Sequence, residues 1–89
     1  MENKGLTVNV FTLESGLTTY TNVEYVRLTS KDYNLLIMLD YVPIIGKVEG
    51  KVDIKIQDGE LSFKNIKASY MNSNNVFNLM IQGEVNDKS

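Results

Sequence analysis

Residues 47–63, KVEGKVDIKIQDGELSF, decide the fold, because they form a strand pattern, a tight turn and a returning strand pattern. Charged residues occupy every odd position from 47 to 55. The apolar residues that alternate with them are Val48, Val52, Ile54 and Ile56. Side chains of a strand point alternately to its two faces, so one face is predicted to lie on a core and the other in solvent. Asp58 and Gly59 then predict a hairpin turn.

The composition of the whole chain also favours strands. Val, Ile, Thr, Tyr and Phe are frequent, Ala68 is the only alanine, and ten asparagines are scattered between apolar groups. This mixture disfavours helices and supports strands joined by turns. We therefore predict an all-β fold, a single small β-sandwich or flattened barrel of about seven to nine mostly antiparallel strands.

Further strands are predicted on both sides of the central hairpin. Residues 6–10 alternate between apolar and polar, residues 17–20 and 23–29 form the next two strand patterns, and residues 76–82 form the last, after a turn at 72–75. A chain of 89 residues is expected to form one domain. That domain is predicted to span residues 1–89, with an ordered core at about 6–85 and flexible termini.

The longest apolar run lies at residues 35–45, LLIMLDYVPII. It neither alternates nor reaches the roughly 20 residues of a membrane-spanning helix. The face expected to be buried carries Leu35, Ile37 and Leu39. Leu36 and Met38 then need a cover from this chain, from a second copy or from a partner protein. Pro43 is expected to end the run or to lie at a sheet edge, and we predict that the run belongs to a docking surface.

Most site chemistry is disfavoured by the residue inventory. The chain has neither cysteine nor histidine, which removes most zinc sites and the Cys and His nucleophile systems. Nine basic and eleven acidic residues give a net charge of −2 without a basic stripe, so nucleic acid is not an expected partner. We predict a cytoplasmic, non-catalytic protein without metal or cofactor and without direct membrane insertion.

Seven residues beside the apolar run are predicted to contact a protein partner. They are Ser30, Lys31, Asp32 and Tyr33, followed by Asp40, Tyr41 and Pro43. Tyrosine offers a large contact area and one hydrogen-bonding group at a small entropic cost. The alternative is that Asp40 caps a bend and Tyr41 packs at the rim of the barrel, and the same ambiguity applies to Asp32 and Tyr33. Met38, Met71 and Met80 are predicted to fill gaps in the core.

Several stretches of the chain match, in the same order, the sequence motifs of a known protein family. Residues 8–12, VNVFT, precede Gly16 and Tyr20, and residues 36–44, LIMLDYVPI, align without a gap on a Gly-Ile-Leu-Pro-x-His-x-Pro-Leu motif. The positions that match a following Gly-x-Val-x-Ile strand are Gly50, Val52 and Ile54. Over residues 6–85 the chain thus resembles the N-terminal β-sandwich domain of the epsilon subunit of F-type ATP synthase, in a form without the C-terminal helical hairpin.

The resemblance implies a non-catalytic part of the rotary central stalk. Such a domain docks on the gamma subunit and on the ring of c subunits, couples rotation to proton transport, and lies peripheral to the inner face of the cell membrane through its complex. The ring-facing loops correspond to residues 30–33 and 40–43.

Several signature positions of the motif differ, however, among them its glycine, its first proline and its histidine. Leu36 replaces the glycine, Leu39 the first proline and Tyr41 the histidine. These differences motivate an alternative, a stand-alone epsilon-like interaction module. A small ligand-binding barrel is a third hypothesis, which we rank last.

Overall fold

Turn-forming residues divide the chain into short and long strands. The computed structural model describes residues 5–84, and every regular element in that range is a β-strand. The strands are β1 (Leu6–Thr12), β2 (Gly16–Val23), β3 (Tyr25–Ser30), β4 (Asn34–Ile37), β5 (Ile44–Ile56), β6 (Gly59–Ser73) and β7 (Val76–Glu84). The predicted all-β class is confirmed. The termini predicted to be flexible lie outside the described residues.

Both predicted hairpin turns beside β6 are present. The β5–β6 turn is formed by Gln57 and Asp58, with Gly59 paired to Ile56. In the β6–β7 turn Asn74 and Asn75 have φ of 52° and 63°. Asparagine tolerates this left-handed conformation, which a two-residue hairpin loop of type I′ requires at both positions.

Hydrogen bonds join the strands into one sheet, in the order β2-β1-β7-β6-β5-β3-β4. Five neighbouring pairs are antiparallel, and only β1 and β7 run parallel. The predicted, mostly antiparallel arrangement is therefore confirmed. The sheet is open, with β2 and β4 as its edges.

The two long strands allow the sheet to fold across itself. β5 and β6, of 13 and 15 residues, pair along their length. The first part of β5 lies in the half of the sheet that leads to β7 and β1, whereas its second part pairs with β3. The register shifts between Gly50 and Val52, and such a bulge bends and twists a strand. The N–H of Glu24, directly after β2, reaches the carbonyl of Lys55 at 2.9 Å, which brings the end of β2 against β5.

All seven strands contribute to a single core. Its buried members are Leu6, Val8, Val10, Val23, Val26, Leu28, Ile37, Val48, Val52, Ile54, Ile66, Ala68, Tyr70, Phe77 and Leu79. The rings of Tyr70 and Phe77 stack with centroids 5.8 Å apart. Full burial of a large apolar side chain contributes about 1.5–3 kcal/mol, so this cluster holds the two halves of the sheet together.

The apolar run at 35–45 is not one continuous strand. β4 ends at Ile37, β5 begins at Ile44, and Pro43 lies directly before β5. Ile37 is buried as predicted, but Leu39 is 41% exposed. The prediction that Leu39 shares the buried face is wrong, because the strand ends before it and the chain turns at Asp40, whose φ is 65°.

The charged face of β5 is not uniformly in solvent. Asp53 is only 6% exposed, so the prediction for this face is wrong at that position. Its carboxylate accepts a hydrogen bond of 2.6 Å from the Ser62 hydroxyl and lies 3.7 Å from the Lys51 ammonium. Asp53 lies in a central strand, flanked by Arg27 of β3 and Ser62 of β6. Of the surrounding residues, Ser62 and Lys51 supply the partners that a buried carboxylate needs.

Candidate docking surface

Five apolar side chains lie on the outer face of the half-sheet formed by β2, β1, β7, β6 and the start of β5. They alternate with core residues along their strands, so the strand geometry points them away from the core. We call them the outer patch: Phe11 (39% exposed), Leu17 (64%), Ile45 (77%), Met71 (47%) and Met80 (51%).

The register of the sheet brings these side chains together. Phe11 lies opposite Leu17 on one side and Met80 on the other. Met71, on the next row, lies opposite Ile45. Directly opposed side chains are about 5 Å apart, so the five residues form one surface, which lines a groove of about 380 Å³.

Uncharged polar side chains cross the outer patch and satisfy one another. The Thr19 hydroxyl donates to Asn9 Oδ1 at 2.8 Å, and Asn9 Nδ2 donates to Asn78 Oδ1 at 3.0 Å. Among the described residues, no charged side chain lines the groove. Aromatic residues and methionine without charge are typical of the centre of a protein interface.

The outer patch was only partly predictable. Ile45 belongs to the apolar run that the sequence assigns to a docking surface. Met71 and Met80 were predicted to fill the core, together with Met38, and this is wrong, because all three are about half exposed. The informative signal is the alternation of side chains along a strand. Met80 lies between the core residue Leu79 and the half-buried Ile81, so its side chain must point outward.

The apolar run exposes a second group of side chains. Leu36, Met38, Leu39 and Val42 are 40%, 48%, 41% and 63% exposed. Residues 5–84 do not cover Leu36 and Met38 fully, and their cover by a second copy or by a partner protein stays a prediction.

The predicted contact residues at 30–33 are held on β5. The Ser30 hydroxyl accepts the N–H of Glu49 at 3.1 Å and donates to its carbonyl at 3.4 Å. The Lys31 ammonium lies 3.6 Å from the Glu49 carboxylate. Lys31 and Asp32 remain exposed, so the loop presents charged groups from a fixed backbone.

Tyr33 fixes the same loop to β5 at a second point and also to β6. Its hydroxyl hydrogen-bonds the backbone carbonyl of Lys47 and lies 2.9 Å from the hydroxyl of Tyr70. A carbonyl only accepts, so the proton of Tyr33 goes to Lys47 and the hydroxyl of Tyr70 donates to Tyr33. Burial and the hydrogen bond with Tyr33 raise the pKa of Tyr70 well above its ordinary value.

We expect the buried Tyr70 hydroxyl to make stability fall at alkaline pH. The unfolded chain releases the Tyr70 proton near pH about 10, whereas the folded protein holds it to a higher pH. The contribution of Tyr70 to the free energy of unfolding is therefore complete below pH about 10 and is lost progressively above it. Urea unfolding across pH about 9 to 11 measures this decline. Tyr70→Phe should show a shallower decline, and identical pH dependence in the two proteins would contradict the assignment.

The predicted contact residues at 40–43 lie beside the β6–β7 turn. The Asp40 N–H donates to Asn75 Oδ1 at 2.6 Å, and Asn75 Nδ2 lies 3.4 Å from Asp40 Oδ1. The Tyr41 N–H donates to the Met38 carbonyl at 3.2 Å, and its half-buried ring packs against the core. This geometry fits a bend at Asp40 and a rim position for Tyr41, while Asp40 and Pro43 keep exposed side chains.

The structure does not join the two predicted groups directly. Residues 30–33 are bonded to the middle of β5, whereas Asp40 is bonded to the β6–β7 turn. No side-chain hydrogen bond or ion pair links the two groups within the described part of the chain.

In residues 5–84 no three or more acidic side chains are placed to hold a metal ion, and no helix is long and apolar enough to span a membrane.

The fold is similar to that of a chain in an ATP synthase structure. That chain belongs to the cryo-EM structure of the Tetrahymena thermophila mitochondrial ATP synthase, central stalk and c-ring, with a TM-score of 0.70 and 10% sequence identity. The similarity covers 92% of this chain and 66% of that one. No protein-family model and no curated protein matches the sequence. At this identity the likeness shows the fold alone, so membership of the epsilon family stays a prediction.

Proposed function

We propose that the protein is a non-catalytic, epsilon-type subunit of the central stalk of a rotary F-type ATP synthase. The observation that carries the proposal is the fold, shared over 92% of the chain with a component of the central stalk and c-ring. The order of the motifs at 36–44 and 50–54 supports the same role independently, because the two lines of argument use different properties of the chain. In this role the protein couples rotation to proton transport and performs no chemistry.

The outer patch is the surface we assign to the gamma subunit. It exposes five apolar side chains, and a partner that covers them gains about 25 cal/mol for each Å² of apolar surface removed from water. The Thr19, Asn9 and Asn78 side chains already satisfy one another, so covering them leaves fewer unpaired groups. Phe11, Met71 and Met80 lie near the centre of the patch and are the expected anchors.

The two predicted loops are the surface we assign to the c ring. Their residues are Ser30, Lys31, Asp32, Tyr33, Asp40, Tyr41 and Pro43. Lys31, Asp32 and Asp40 present exposed charges suited to the polar loops of a membrane ring. Hydrogen bonds of Tyr33 and Asp40 hold the two loops on the sandwich. Torque transfer needs such a body, whose contact surfaces do not deform under load.

Co-purification tests the proposed function. The protein is co-expressed with the gamma and c subunits from its own source, and we expect it to remain bound to them through affinity and size-exclusion steps. Gln57→Glu, in the β5–β6 turn away from both surfaces, adds one charge and should co-purify equally. Failure of the wild-type protein to bind at concentrations of about 10 μM would overturn the stalk role.

A stand-alone epsilon-like interaction module is the second candidate. It is favoured by the exposed Leu36 and Leu39, which stand where the epsilon motif has glycine and proline. These side chains enlarge the apolar surface next to β4 and suit a partner other than the stalk. Genes for ATP synthase subunits beside the gene for this protein would support the stalk role, whereas unrelated neighbours would support the module.

A further inference from the structure

β2 presents an unprotected edge of the sheet. Within residues 5–84, β1 is the only strand paired with β2, so the backbone groups along the other side of β2 have no strand partner. The strand, GLTTYTNV, contains no proline and no charged residue. Proteins commonly block edge strands with such residues, because an open edge is a template for another strand.

The shape of β2 also suits strand pairing. Its register with β1 is unbroken from Gly16 to Tyr20, and the shift falls beyond Tyr20. Leu17, Thr18 and Thr19 are exposed. The opposite edge differs, because β4 has only four residues, and a very short edge strand is a poor template.

We propose that β2 pairs antiparallel with β2 of a second copy, about a twofold axis normal to the sheet. In such a pair each residue meets one of the same strand, so a charged strand would place like charges together. β2 carries no charge, and its threonines form favourable cross-strand pairs. An extended segment of unrelated sequence would gain no such self-complementarity, which is why a second copy is the expected occupant.

The twofold axis of the proposed pair would also join the outer patches of the two copies. A twofold axis normal to the sheet reverses the strand direction but keeps the faces of both copies on the same side. Leu17, which belongs to the outer patch, then lies at the seam in each copy, and the two patches become one continuous apolar surface. The inference concerns the free protein and does not rest on the proposed function.

The dimer is expected to be weak. One strand pair of this length buries less than the roughly 1,200 Å² of a stable interface, so dissociation is expected in the range of about 10 μM to 1 mM. Sedimentation equilibrium over this range should show a monomer and a dimer in exchange. Thr19→Lys places like charges at the seam and should shift dissociation at least about tenfold, whereas Leu36→Lys on the β4 edge should not.

Single cysteines then locate the contact. The chain has no cysteine, so each introduced thiol reports one position. In the proposed pair one residue of β2 faces itself, so among cysteines placed singly at residues 17–20 one should form a disulfide dimer under mild oxidation. We expect this disulfide to form at least about tenfold faster than the disulfide of Leu36→Cys, because a disulfide needs Cα atoms within about 7 Å.

Several results would overturn the inference. A wild-type protein that stays monomeric up to about 1 mM would exclude the pair. That result would exclude it also if β2 instead accepts a strand of another protein. A dimer that is insensitive to Thr19→Lys and forms disulfides no faster at 17–20 than at 36 would place the contact elsewhere, for example between outer patches.

Discussion

Met71→Asp is expected to abolish the proposed docking on the gamma subunit, with a loss of affinity of at least about 100-fold, in a protein that remains folded. Met71 lies in the outer patch, opposite Ile45 on β5 and Asn78 on β7. Burial of a carboxylate without a partner costs several kcal/mol, and the groove offers no described cation to pair with it. A 100-fold loss corresponds to about 2.7 kcal/mol, which is within the range for one central anchor.

Titration calorimetry with purified gamma subunit measures this loss, and Gln57→Glu is the matched control for the added charge. Thermal unfolding should change little, because Met71 is 47% exposed in the free protein and its replacement leaves no cavity. If Met71→Asp unfolds the protein, Ile45→Asp repeats the test at a position that is 77% exposed. Unchanged affinity in a folded variant would show that the gamma subunit does not bind the outer patch.

The strands were predictable from sequence because their signal is local. Alternation at 47–56 and the Asp58–Gly59 turn predict the β5–β6 hairpin without knowledge of any distant residue. The asparagines at 74 and 75 likewise suit the conformation of their own turn. The parallel pairing of β1 with β7 has no such signal, since it joins segments about 70 residues apart whose alternation is compatible with several neighbours.

The outer patch shows the same limit at the level of the site. Four members of the patch lie on four different strands, each as an exposed apolar residue among polar outward neighbours: Phe11, Leu17, Met71 and Met80. A single exposed apolar residue is ordinary, and only the order of the strands places four of them side by side. The apolar run was visible because its residues are consecutive, although the turn at Asp40, which removes Leu39 from the buried face, was not.

Gly50→Ala is expected to destabilise the protein by at least about 2 kcal/mol. Gly50 has a φ of 154°, and a Cβ there would collide with the backbone carbonyl oxygen of Thr29. Backbone on the adjacent β3 strand cannot move aside as the end of a flexible side chain would. Gly50 also precedes the register shift at which β5 bends, so relief of the collision would separate β3 from β5 or alter the bend.

Urea unfolding followed by circular dichroism measures the effect, and Gly83→Ala is the matched control. Nothing lies within 4 Å of a Cβ added at Gly83, so that variant should stay within about 0.5 kcal/mol of the wild type. Domains of this size have a total stability of only about 5–15 kcal/mol, so the Gly50 variant should lose a measurable fraction of it. Equal stability of the two variants would mean that β3 does not approach Gly50 this closely. Glu49, directly before the bulge, accepts the backbone N–H of Lys31 at 3.1 Å. A destabilised Gly50 variant should therefore also release the 30–33 loop and weaken the proposed contact with the c ring.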